Sequence, residues 1–354
     1  MTAGRIPVAT IARMLARPGA QSAAAVVLPI VSFAVTTALV LTVAGGTIAL
    51  MTDPDLSVYA FFAAFATTLL IPPLATLGGS AARLSTRRRD DRLATLRLLG
   101  AGALAVAGIA ILETAVVAAI GAILGCGLYA AAMPLVGLIP FGGDPLGAAR
   151  LWVGPWVLLG VVAAMILVAV VSAALALRAV RLTPLGVRAR ATAPRIPVGL
   201  IVLGVLLTVV VAGVAAVIAG AGPVFGIAAF IAGVCLVFGT AILILNLVGA
   251  PIVALIGRRM AARAQRPATL IAGRRLAEDG RAAWRAVSAV AMTSFIAIVA
   301  GSGIAMLSAG ASSPEDAVFA ADVTTGVLIT LAIAFLALAA TVGVTQAAAV
   351  VDQR

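Results

Sequence analysis

The sequence predicts an all-α polytopic transmembrane bundle of about eight spans with a cytoplasmic N-terminus. Three observations carry the fold class. Only 10% of the 354 residues are charged and 63% are hydrophobic, with a mean hydropathy of +1.23; soluble chains carry about 25% charge. Apolar runs of about twenty residues or more recur, each long enough to cross about 30 Å of hydrocarbon as a helix. Most of the charge is confined to the stretches between those runs. The alternating ten-residue segments of a membrane barrel are missing from the sequence.

In chain order the expected spans are 24–51, 57–80, 102–133, 152–177, 197–219, 225–256, 287–309 and 324–346. The first apolar run far exceeds the 7–15 residues of a cleavable signal core, so it is read as a retained span. Pro72 and Pro73 should kink the second, since each removes a backbone donor. The third and sixth are long enough to tilt. Gly121-x-x-x-Gly125 in the third allows a close helix contact.

Arginine sets the orientation. The chain has no lysine and no histidine, and 23 of its 24 basic residues fall on one side of these spans. They cluster at Arg5–Arg17, Arg83–Arg97, Arg178–Arg195 and Arg258–Arg285, with Arg354 near the end; only Arg150 lies opposite. The positive-inside rule makes that side cytoplasmic. Asp53, Asp55, Asp144, Glu315, Asp316 and Asp322 then fall in short outer loops.

Composition excludes several functions. A chain without lysine cannot build a Walker-type phosphate loop. Without histidine there is no imidazole metal site and no Ser/His/Asp or Cys/His constellation. No paired carboxylates lie within the spans, so an enzyme is not expected. The net charge of +12 sits in membrane-bordering loops, where anionic lipid headgroups rather than nucleic acid are the expected neighbours. Cys126 and Cys235 lie in apolar runs and are read as small buried side chains. Glu113 is the one carboxylate expected inside a span, a functional candidate by default; the alternative is a packing role or a side chain reaching the interface.

Two parts of the chain look alike. Leu15–Met51 and Leu276–Met306 both begin Leu-Ala-x-x-Gly, both carry Ser-Phe early in the span (Ser32-Phe33, Ser294-Phe295) and both end near Gly-x-x-Ile-Ala. A parallel repeat, common in transport proteins, would divide the chain into a first unit, 1–190, a linker span pair, 191–262, and the start of a second unit, 263–354. On that reading AAAVVDQR (347–354) falls where the first unit has AARLSTRRR (81–89). The expectation is then either a fragment of a roughly ten-span protein, about a hundred residues short, or a subunit that pairs with a second copy or a second permease.

Between the second and third spans, RLSTRRRDDRLATLRLLG (83–100) packs six arginines and two aspartates into eighteen residues. LATLRLLGA (Leu93–Ala101), LETAVVAAIGAILG (Leu112–Gly125) and the exit LRAVRLTPLGVRAR (Leu177–Arg190) together resemble the permease subunits of FtsX-like (MacB/LolC-type) ABC transporters. In that family the segment before the third span docks into a groove of a separate cytoplasmic ATPase dimer, which binds the ATP; the permease binds no cofactor. The resemblance implies polar contacts from Arg87, Arg88, Arg89, Asp90, Asp91, Arg92 and Arg97, and apolar anchors at Leu93, Leu96 and Leu99. It also implies a multi-pass protein of the cell membrane, coupling ATP hydrolysis on the partner to export, extraction or mechanical signalling at the outer face.

Other readings stay open at this point. The arginines alone could serve topology. An ion-coupled secondary carrier, or a scaffold or sensor partner that transports nothing, would share the fold. Relatives with a large outer domain carry it between spans one and two or between seven and eight. Here those loops are only about five and about fourteen residues, so cargo is expected to enter from the lipid or between helices.

Overall fold

The computed structural model describes residues 24–52, 59–87, 103–141, 144–181, 226–310 and 312–352, with Leu206 and Gly213. The first helix, α1 (Ala24–Thr52), buries every fourth residue: Pro29, Phe33, Thr37, Leu41, Gly45 and Ala49. A four-residue period is a ridge along one helix face, and α3 (Ala103–Val136) packs against it. Lipid tails are as apolar as leucine, so burial alone does not drive this contact; small residues that let backbones approach do. Gly121 and Gly125 supply them. A Cβ on Gly121 would stand 2.5 Å from Phe33 Cβ and 2.8 Å from the Ile30 carbonyl, and one on Gly125 2.6 Å from both the Ala34 carbonyl and Thr37 Cβ. The expected close approach is present. Thr37 Oγ1 is buried in this seam with no hydrogen-bond partner among the described residues.

α2 (Ala60–Arg87) runs through Pro72 and Pro73 as one helix. It touches every other long helix described: α1, α3, α4 (Gly154–Arg181), α5 (Gly226–Ala262), α7 (Gly280–Gly310) and α8 (Pro314–Asp352). Leu69, Leu70, Leu74 and Leu77 on α2 form the main core with Ile242, Ile296, Ile333, Ala334 and Ala337. Phe65 meets Phe238 of α5 edge-on, with ring centroids 5.0 Å apart.

Between α3 and α4 the chain makes a small hairpin, β1 (Pro140–Phe141) paired antiparallel with β2 (Asp144–Pro145). Leu146 N–H donates to the Ile139 carbonyl at 3.0 Å and Gly147 N–H to that of Gly137 at 2.9 Å. Gly147 and Gly154 close the segment at φ +81° and +79°, a region that side chains disfavour. The Tyr129 hydroxyl donates to the Leu151 carbonyl, tying the hairpin back to α3.

At the arginine-rich end, α5 is followed by a short helix, α6 (Pro267–Glu278), folded back onto it. A Cβ on Gly257 would lie 2.6 Å from Ala277 N, and one on Gly273 2.6 Å from Ala261 N, so the two backbones are in contact.

Seven of the described helices are long and apolar enough to cross a membrane: the protein is an all-α polytopic bundle. The expected span 197–219 falls almost wholly outside the described residues. The outer link before α8 differs from expectation. It is 311–313 rather than about fourteen residues, because α8 starts at Pro314. Ser313 N–H donates to Asp316 Oδ2 at 3.0 Å, while Asp316 N–H donates to Ser313 Oγ at 3.1 Å. That is a reciprocal capping box with proline at the first helical position. Glu315 and Asp316 are thus first-turn residues of a helix rather than a loop, with their charge at the favourable end of its dipole. Cys126 and Cys235 are free thiols, half-buried rather than buried.

Candidate functional site

The helices converge on a cavity of about 260 Å³ in the arginine-poor half of the bundle. Its walls come from the second half of α1 (Thr42–Leu50), the first half of α2 (Tyr59–Leu70), the second half of α7 (Val299–Leu307) and the first half of α8 (Asp322–Ile333), with the hairpin across one end. All four helices therefore contribute residues from the same depth. Two glycines keep the space open. Gly46 on α1 and Gly303 on α7 both line it, and a Cβ on either would meet nothing within 4 Å.

The threonines of the wall bond within the protein. Thr42 donates to the Ala38 carbonyl at 2.8 Å, Thr330 to Gly326 at 2.8 Å and Thr67 to Ala63 at 2.8 Å. Thr47 lies 2.6 Å from Thr67 Oγ1. Since the Thr67 proton is aimed at Ala63, Thr47 is the donor of that pair. What remains is an apolar surface with one ionisable acid.

That acid is Asp322. Expected in an outer loop, it instead stands two turns into α8 and is 7% exposed. The early start of the helix is what carries it into the bundle. The Tyr59 hydroxyl donates to its Oδ2 at 2.6 Å, a bond that joins α8 to the start of α2. Rings gather around the pair. Tyr59 meets Phe319 at 5.4 Å and Phe141 edge-on at 6.0 Å, and Phe62 meets Phe319 at 5.7 Å. Phe141 arrives from the hairpin, so β1 and β2 cap this end of the cavity.

Sequence reasoning missed this site. It had one available signal: an aspartate between apolar segments, preceded by the capping signature Ser-x-x-Asp. The pairing with Tyr59 across 263 residues had none.

The residues singled out from sequence lie elsewhere. Arg87 ends α2 at the arginine-rich end. Arg88, Arg89, Asp90, Asp91, Arg92, Leu93, Leu96, Arg97 and Leu99 lie outside the described residues. Glu113 is on α3, on an exposed stripe with Leu112 and Val116; its neighbour Thr114, 0% exposed, is the residue in the packed seam. The structure does not bring Glu113 to the cavity. Among the described residues no three metal-ligating side chains come together.

Residues 79–185 match the family described as FtsX-like permease C-terminal; the match covers the end of α2, the connection, α3, the hairpin and α4. The match spans less than a third of the chain; over that stretch the chain is similar to the FtsX-like permease family, which supports a permease subunit of an ABC transporter in general terms. No curated protein and no solved structure matches it significantly.

Proposed function

We propose that this chain couples a separate cytoplasmic ATPase dimer to export, extraction or mechanical signalling across the cell membrane, with ATP bound and hydrolysed on the partner. The observation that carries the reading is the position of α2. The segment 83–100 begins in its last turn, α2 packs against every other long helix described, and its first half walls the cavity. A displacement applied near Arg87 thus acts on one continuous helix reaching both the core and the cavity, as coupling by helix shifts requires.

The two-unit reading has support as well. α2 packs on α8, α1 on α8, and α2 on α7. Exchanging α1 with α7 and α2 with α8 maps this set of contacts onto itself, as a pseudo-two-fold relation between repeats would.

The test is retention of the ATPase. Leu93→Asp with Leu96→Asp should release the co-expressed ATPase from membranes while the permease stays inserted, since apolar anchors dominate docking of this kind. ATPase retained at the wild-type level would refute the docking assignment.

A further inference from the structure

We propose that the hairpin of α5 and α6 is a docking surface for an anionic phospholipid of the leaflet on the arginine-rich side, its phosphate held by Arg259, Arg263, Arg274 and Arg275 and a hydrocarbon chain lying along Ile252 and Ile256. The proposal concerns a lipid partner and depends neither on the ATPase nor on the cavity.

The two helices present these residues together. On α5, Ile252, Ile256 and Arg259 recur at helical spacing, and Arg263 extends the row, its N–H donating to the Arg259 carbonyl at 3.1 Å. All four are exposed, so one face passes from apolar to cationic as the helix ends. In a membrane the isoleucines face lipid tails. Arg259 stands three residues, about 4.5 Å, beyond Ile256, where hydrocarbon gives way to headgroups. On α6, Ile271, Arg274, Arg275 and Glu278 share the exposed face, an apolar side chain among cations as in helices that lie at a membrane surface. The glycine contact brings the two sets side by side: a Cβ on Gly273 would lie 2.6 Å from Ala261 N, and one on Gly257 2.6 Å from Ala277 N.

Charge selects the occupant. From 258 to 277 the sequence holds six arginines and no acidic residue; Glu278 and Asp279 follow. All six arginines are exposed, and none forms an ion pair or side-chain hydrogen bond among the described residues. Guanidinium forks match phosphate oxygens bidentately, and an anionic membrane surface attracts arginines placed beside a span. A zwitterionic lipid brings the same chains without the net charge. An acidic protein surface would meet the arginines as well, but it has no use for the lipid-facing isoleucines below them. Orientation in the membrane needs only positive charge on this side; it does not require a helix to fold back so that two sets of arginines meet.

The experiment uses the full chain in detergent and measures lipid binding by native mass spectrometry, comparing dioleoyl phosphatidylglycerol with dioleoyl phosphatidylcholine. Binding of phosphatidylglycerol at least about tenfold tighter is expected. Arg259→Gln with Arg263→Gln, and separately Arg274→Gln with Arg275→Gln, should each weaken it by more than about tenfold, at roughly fivefold per arginine. Phosphatidylcholine binding and the melting temperature should stay unchanged in both, which separates loss of the headgroup contact from loss of the fold. The control Arg88→Gln with Arg89→Gln removes the same charge from the same side and should change phosphatidylglycerol affinity by less than about twofold. Equal affinity for the two lipids, or equal losses in the control and the two pairs, would overturn the site. Glycerophosphate carries the charge without the chains and should not displace the lipid; full displacement would overturn the role of Ile252 and Ile256. No ATPase is present, so a negative outcome here is distinct from a failure of the Leu93/Leu96 test.

Discussion

α1 and α7 share a Ser-Phe pair and a glycine-rich finish, yet they live in different surroundings. On α1, Ser32 is 1% and Phe33 0% exposed, and the helix is gripped on several sides. On α7, Ser294 is exposed, and Ile298 and Met306 are 72% and 78% exposed. The described buried stripe there is Ser288, Met292, Ile296 and Ala300. The difference lies in what each helix meets. α3 brings Gly121 and Gly125 onto α1, whereas among the described residues α7 packs on α2, α5, α6 and α8, and a Cβ on Gly301 or Gly303 meets nothing. Similar sequence makes similar helices; the partner decides which faces are interior.

The largest test of this contrast is at the seam. Gly125→Leu should destabilise the protein by more than about 3 kcal/mol, because backbone and Thr37 Cβ stand where the side chain must go. Gly301→Leu should leave the melting temperature nearly unchanged. Equal losses, read by detergent thermostability, would abolish the distinction between the two helices.

Next in size is removal of side chains. Leu41→Ala on α1 should cost about 2–4 kcal/mol through the cavity it leaves, against less than about 0.5 kcal/mol for the exposed Ile298→Ala; the same thermostability assay compares them. Tyr59→Phe sharpens the contrast differently, because it leaves buried Asp322 without that donor. The expected loss is about 1–3 kcal/mol, and Asp322→Asn combined with it should restore part of that loss if the bond is the cause. The smallest effect is expected at Thr37. Its hydroxyl is buried without a partner among the described residues, so Thr37→Val should be neutral or stabilising by up to about 1 kcal/mol in the same melt.

Much of the fold could be read from the chain because membrane helices announce themselves by length and apolarity, and the Gly121/Gly125 contact because few residues allow such an approach. The link before α8 was misread because hydropathy registers Glu315, Asp316 and Asp322 as polar, whereas the capping geometry at Ser313 makes them helical. That one error hid Asp322, and with it the cavity. Tyr59 and Gly46 carry no local mark of their role; they acquire it only when α1, α2, α7 and α8 come together.

The backbone contact between Gly257 and Gly273 has a mechanical consequence. With little side-chain layer between them, α6 and the end of α5 form one close-packed strut, so any side chain added at Gly257 or Gly273 must push the two apart. Trp284 fastens this strut to α7: its indole lies over Gly249, and Nε1 donates to Asn246 at 3.2 Å. Along α5 the chain of contacts then runs past Pro251 to Phe238, whose ring meets Phe65 at the cavity wall.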